Sequence, residues 1–188
     1  MNENIYFDMQ DLMYLGKEVI IGKTVRIRHP QKASIDDGSI IDDFTYISSA
    51  INVKKYVHIA SSCTISGGEG NFSIGNFSTL ATHVSTHCGS TDYKRLTLDH
   101  PAVPDDATFG GEKGDISIGD FCVIGAHSCI LPGVEIPEGV AFGAYSLIKK
   151  REYKPYHLYA GLKCIDMGKR DLAFIDKIED IKRKYKIK

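Results

Sequence analysis

A period of six organises this chain. Aliphatic residues stand at Ile41, Ile47, Val53, Ile59 and Ile65, again at Ile74 and Leu80, then at Ile118, Ile124, Ile130 and Ile136, with Phe142 and Ile148 closing the series. Four residues after most of them comes a small or β-branched residue: Thr45, Ile51, Val57, Cys63, Ser78, Val84, Cys122, Ser128, Val134, Val140 and Ser146. The residue directly after the aliphatic one is often Gly, Ala, Asp or Ser, as at Gly22, Asp42, Ser48, Ala60, Gly75, Ala81, Gly119, Gly125 and Gly143. A helix needs apolar spacing of about 3.6 and a half-buried strand a spacing of about 2, and a strict six satisfies neither. Antiparallel strands with Gly-rich turns would imitate two or three such steps by chance, not the whole series.

A triangular solenoid does satisfy it. Each hexapeptide supplies one short strand and a corner, three of them close a coil, and aliphatic side chains of successive coils stack into an inner column. Glycines at the corners suit positive φ or a close approach of backbones. The period breaks in three places: Ile27 to Ile41 spans fourteen residues, Ile65 to Ile74 nine, and Leu80 to Ile118 thirty-eight. Extra residues must leave the stack as loops, and such loops commonly build a binding face. The longest, residues 86–115, is rich in Gly, Pro and Asp and exceeds what a connection requires. We therefore expect one all-β domain over 1–188: a cap at 1–18, a parallel β-helix at 19–165 carrying the 86–115 loop, and a C-terminal helix at 166–188. The last rests on Leu172, Ile175, Ile178, Ile181 and Tyr185, which recur every three or four residues. Lys177, Lys182, Arg183 and Lys184 form its polar face, read as a solvated face on a docked helix rather than a membrane surface.

Composition removes several classes. A net charge of −1 over 188 residues lacks the basic footprint of a nucleic-acid binder. No stretch is apolar for long enough to span a bilayer. The acidic start, MNENIYFDMQDL, is unlike an export signal, so a cytoplasmic location is expected. Five cysteines form no CxxC pair, and their odd number fits poorly with a closed disulfide set. Cys63 and Cys122 fall at inward positions, where cysteine acts as a small hydrophobe.

The runs IGDFCVIGAHSCILPGVEIPEGVAFGAYSLI (118–148) and YHLYAGLKC (156–164) resemble the closing coils of the hexapeptide-repeat acyltransferases, near the galactoside, maltose and capsule or lipopolysaccharide sugar O-acetyltransferases. That resemblance covers roughly residues 20–165. It implies a left-handed parallel β-helix, acetyl-CoA as acyl donor, and a homotrimer with active sites in the clefts between neighbouring helices. It also implies a catalytic histidine at the start of the extruded loop, which is His87. A neutral imidazole there would take the proton of an attacking sugar hydroxyl. His100 in the same loop is the rival base, and His83, Asp92 and His100 are candidate acceptor contacts; Asp92 and Asp99 could orient an imidazole.

For the coenzyme, the Gly125–Ala126 corner offers a backbone N–H to the thioester oxygen. Gly143 and Ala144 would admit the pantetheine arm, and Lys149, Lys150 and Arg151 stand where coenzyme A phosphates would lie. Two departures matter: Ala126 stands where galactoside acetyltransferases commonly place a serine, and AGLKC carries Lys163 where the family usually has a proline. No metal is expected.

The resulting expectation is O-acetylation of a sugar hydroxyl in surface glycan synthesis. Its alternative is N-acetylation of an amino sugar or nucleotide-linked amino sugar, whose amine depends less on a base. From other classes come a zinc enzyme of the carbonic anhydrase type, for which His83, His87 and His127 would have to converge, and a noncatalytic scaffold.

Overall fold

The computed structural model describes residues 4–67, 69–94, 98, 102–103, 110–171, 173 and 175–187. The chain forms a left-handed parallel β-helix of about seven turns. Three parallel sheets make its faces. The first runs from Tyr14–Leu15 through Ala33–Ile35, Ala50–Val53, Asn71–Ile74 and Ile116–Ile118 to Glu135–Ile136. The second begins at Ile20–Ile21 and the third at Arg26–Ile27, and each adds one short strand per coil. Cross-coil registers align like with like, for example Ile41 with Ile59, Ile47 with Ile65 and Ile124 with Phe142.

Every aliphatic position of the repeat is buried, and so is every small residue four places later, from Thr45 to Ser146. Alternation along each two- or three-residue strand sends one side chain inward and its neighbours outward, so two positions in six fill the interior. Cys63 and Cys122 lie fully inside, where burial pushes their thiols up to about 11 and about 12. They are inert packing groups at neutral pH.

Corner glycines serve both expected purposes: Gly38, Gly133 and Gly139 have positive φ, whereas others answer a close approach of backbones. A Cβ on Gly75 would stand 2.3 Å from Asp120 Oδ1, and one on Gly125 would stand 2.4 Å from the Ala144 nitrogen; neither glycine has positive φ. Close approach of consecutive coils is the reason for both. Left-handed backbone also falls on ring-bearing residues: Tyr56, Phe77 and Phe121 at the edge that holds Gly38 and Gly139, and His83, His127 and Tyr145 at another. Each set stacks along the solenoid axis, with centroids 5.0 Å (Tyr56–Phe77), 5.5 Å (Phe77–Phe121), 4.7 Å (His83–His127) and 4.9 Å (His127–Tyr145) apart. Ring stacking offsets the backbone cost of positive φ at a bulky residue.

Three sequence boundaries shift. Residues 14–15, placed in the cap, are already a strand of the first face, paired with Ser34 and Ile35; of the cap, Met9–Asp11 is a 3-10 helix. Between 166 and the helix the chain adds a strand, Ile165–Lys169, antiparallel to His157–Ala160. Helix α1 covers Ile175–Lys184 and docks on the first aromatic edge: Tyr185 lies edge-on to Tyr56 and Phe77, and Lys182 reaches Glu138 at 2.8 Å. Lys182 therefore belongs to the docked side, not the solvated one, while Leu172 lies outside the described residues. Thr86 and His87 are not loop residues. They continue the third face in Ser85–His87, with Thr86 facing inward between Ile65 and Ile130.

Thr86 interrupts an otherwise aliphatic column, and its Oγ1 is buried with no hydrogen-bond partner. A buried hydroxyl without a partner carries its desolvation cost uncompensated. Thr86→Val, which keeps the shape and removes the hydroxyl, is expected to hold or raise stability by about 1 kcal/mol. A urea midpoint below that of the parent would mean that a partner for Oγ1 exists in solution.

Candidate active site

All three breaks in the period fall at one edge of the prism, where the third face turns into the first. The 3-10 turn Pro30–Lys32 separates Arg26–Ile27 from Ala33–Ile35, residues 67–70 separate Thr64–Ser66 from Asn71–Ile74, and the longest insertion follows Ser85–His87. That insertion leaves and returns through an antiparallel pair, Gly89–Ser90 with Glu112–Lys113. The sequence disclosed the breaks; that they share an edge is decided by coil geometry.

His87 stands at this edge, half-buried, at the last strand position before the excursion. Its Nδ1 lies 3.0 Å from Ser66 Oγ, one coil earlier and directly in register. Ser66 Oγ also donates to the Thr86 carbonyl at 3.4 Å. With its proton directed there, Ser66 accepts from Nδ1–H, and Nε2 is left as the unprotonated nitrogen, a tautomer inferred from this network. Burial holds the His87 pKa below its ordinary value of 6.5, because a half-buried imidazolium loses hydration. The imidazole is thus neutral at pH 7, with a basic nitrogen to spare. Ser66 was not singled out in the sequence; its place one coil below His87 follows from the register alone.

The other sequence candidates are distributed around the prism. His83 lies at the opposite edge of the third face, exposed, with its Nδ1 2.8 Å from Thr82 Oγ1 and its ring on His127. Gly125, Ala126, Gly143 and Ala144 share that edge. The Gly125 N–H is committed to the Phe142 carbonyl and the Gly143 N–H to that of Tyr159, each at 2.8 Å. At the neighbouring edge the N–H two places after the aliphatic residue, as at Asn76, bonds a carboxylate from the next coil, Asp120 at 2.7 Å. At Ala126 the next coil offers Ala144 instead, so this N–H remains available to a ligand. Asp92 accepts the Lys94 N–H at 2.9 Å within the excursion, and His100 and Asp99 lie outside the described residues.

Lys149 occupies the His87 column two coils onward, through Leu131, whose N–H bonds the Ile148 carbonyl. Lys150 and Arg151 line a cavity of about 590 Å³ at the same edge, together with Ser117, Gly133, Glu135 and Tyr153. Arg151 is the less available cation, since its guanidinium lies over the Tyr153 and Tyr159 rings and donates to the Cys164 carbonyl. His83 and His127 stack face to face rather than converging on a point, and His87 lies across the third face from them. Among the described residues no group of three or more His, Cys, Asp or Glu could hold a metal ion.

No protein-family model matches the sequence. A dTDP-4-amino-4,6-dideoxy-D-glucose acyltransferase of Escherichia coli is 30% identical over 139 residues, which cover 72% of this chain and 71% of that protein. The chain belongs to the hexapeptide-repeat sugar acyltransferases. Within the family, the N-acyltransferase AntD of Bacillus cereus, in complex with dTDP and 3-hydroxybutyryl-CoA, superposes with a TM-score of 0.87 at 26% identity, covering 97% of this chain and 99% of AntD. Its complex with dTDP-4-amino-4,6-dideoxyglucose and coenzyme A gives 0.84, over 97% and 98% of the two chains. A maltose O-acetyltransferase of Clostridium difficile shares the fold at a TM-score of 0.52 and 17% identity, over 86% of this chain and 72% of that one. Among the described residues no helix is long and apolar enough to cross a membrane.

Proposed function

We infer that this protein transfers an acyl group from an acyl-coenzyme A to the amine of a nucleotide-linked 4-amino-4,6-dideoxy sugar. The observation that carries this reading is the match over nearly the whole chain to AntD bound to such a sugar and to coenzyme A. N-acylation thereby replaces the O-acetylation favoured by the sequence. The repeat encodes the scaffold that O- and N-acyltransferases share, whereas the acceptor is met by outward side chains and the loop, on which the hexad pattern is silent.

The chemistry suits the site. An amine with a pKa of about 8, like an α-amino group, is roughly one-tenth neutral at pH 7, and that fraction attacks without prior deprotonation. As its nitrogen bonds to the thioester carbon it becomes positively charged, and His87 Nε2 takes the surplus proton. The carbonyl oxygen gains charge and would be met by the Ala126 N–H. Collapse expels the coenzyme A thiolate, which takes the proton back from the His87 imidazolium. His87 and Ala126 lie at opposite edges of one chain's third face, about five residues or roughly 15 Å apart along the strand direction. Both act at one centre only if neighbouring copies supply them, which supports a homotrimer with sites between subunits. Lys149 and Lys150 are assigned to the coenzyme phosphates, and acetyl-CoA remains the simplest donor.

The test is thiol release from acetyl-CoA and from 3-hydroxybutyryl-CoA, with dTDP-4-amino-4,6-dideoxyglucose, free amino sugars and maltose as acceptors. Turnover confined to the nucleotide-linked amine is expected. Faster turnover with maltose would restore the hydroxyl acceptor, and turnover with neither would remove the sugar-acyltransferase assignment of substrate.

A further inference from the structure

The outward side chains of the third face form two axial columns, set by register. One reads Arg28, Ser48, Ser66, His87, and the other begins at Arg26 and Tyr46. Arg26 and Arg28 are both exposed, and no ion pair neutralises either one among the described residues. The Arg26 guanidinium lies beside two rings, 5.7 Å from the Tyr6 ring centroid and 5.9 Å from that of Tyr46. Two uncompensated guanidinium groups thus end a hydroxyl-lined strip that leads to His87. The 3-10 insertion Pro30–Lys32 rises beside Arg28 on the same edge as the excursion beside His87.

We propose that this strip is the acceptor's nucleotide subsite, with the diphosphate on Arg28 and Arg26 and the amino sugar pointing up the column to His87. The proposal rests on the acceptor class inferred above and assigns its anionic part to residues. Distances agree. Coils are spaced by about 4.8 Å, which puts the Arg28 backbone roughly 14 Å below His87, and an arginine stem returns about 6 Å of that. Across a hexose ring the 4-amino nitrogen and the diphosphate are roughly 7–10 Å apart, at about 1.3 Å of advance per bond. Ser48, two coils below His87, falls between the two ends and offers its hydroxyl to the sugar, while Ser66 stays engaged with His87 and Thr86. Planar guanidinium forks suit phosphate oxygens better than a point charge does. The acyl donor then occupies the opposite direction, toward Lys149, so the two substrates meet end to end at His87.

Calorimetric titration of the full-length protein with dTDP, and separately with coenzyme A, tests this. Arg28→Gln is expected to weaken dTDP binding by about 10- to 100-fold, the usual worth of a charged hydrogen-bonding partner, with Arg28→Lys in between. Arg26→Gln should act in the same direction. Coenzyme A affinity should hold in all three, as should dTDP affinity in Lys169→Gln, a charge change on the strand that ends the second face. In turnover, KM for the nucleotide sugar should rise with kcat unchanged. If the parent binds dTDP and both glutamine variants bind it equally well, the subsite is elsewhere and the proposed reaction stands. If the parent neither binds dTDP nor acylates a dTDP-linked sugar, the acceptor class itself is wrong and the subsite falls with it.

Discussion

His87→Ala lowers kcat for acyl transfer by about 10²- to 10⁴-fold, the usual contribution of a positioned acid–base group, while the thermal midpoint stays close to that of the parent. His87 faces outward from the third face and anchors nothing inside, so its removal should cost little stability. The loss should sit in kcat and kcat/KM together, because proton removal from the attacking nitrogen is completed only as the bond to carbon forms. The pH profile gives an independent readout. Burial depresses the His87 pKa, so the imidazole stays neutral through pH 7 and is protonated only below its ordinary value of 6.5. An acid limb of kcat lying below pH 6.5 that vanishes in His87→Ala identifies the base. Ser66→Ala, which removes the Nδ1 partner, should leave part of the activity and move that limb. If His87→Ala retains the parent's kcat, His87 is not the base, and His100 becomes the next residue to replace.

Phe72→Ala is expected to cost about 3–5 kcal/mol, the largest stability loss of any substitution considered. Phe72 has no exposed surface and opens the coil that carries His87, in register between Ile51 below and Ile116 above. Truncation removes most of a ring from a column whose neighbours are fixed by backbone ladders on both sides and cannot collapse inward. Transfer and cavity contributions therefore both appear. Phe72→Leu, which fills more of the space, should cost clearly less. Urea unfolding read by circular dichroism checks both, and a loss below about 1 kcal/mol for Phe72→Ala would mean that the coil repacks around the void. Because the coil above starts only after the long excursion, the damage should also reach the geometry at His87.

The two outcomes mirror how differently fold and site are written in the chain. The hexad gave the inner columns residue by residue, from Ile41 to Ile148, and the small partners from Thr45 to Ser146. Side chains packed against copies of themselves in the next coil leave a strict periodic trace. The period shows only where the long insertion falls; the resemblance to the sugar acetyltransferases, which implies a histidine at the start of the loop, singles out His87 there. Ser66 was not legible as its partner, nor Arg28 as a member of its column. Those residues are 21 and 59 positions away in sequence, and their nearness depends on how many residues each coil contains. A two-residue insertion at Pro30 and a three-residue one at residues 67–70 shift that count while leaving the face unchanged.

What the sequence determined by itself was the repeat, because burial of two side chains in six is a local, additive demand that each hexapeptide must meet. What only the tertiary structure decided was the edge. Three unrelated breaks stack at one corner, aromatic rings stack through left-handed corner positions, and Ser66 and Arg28 join His87 in one column. Each of those is a relation between coils, fixed by the cross-coil hydrogen bonds that set the register, and no single stretch of chain carries it.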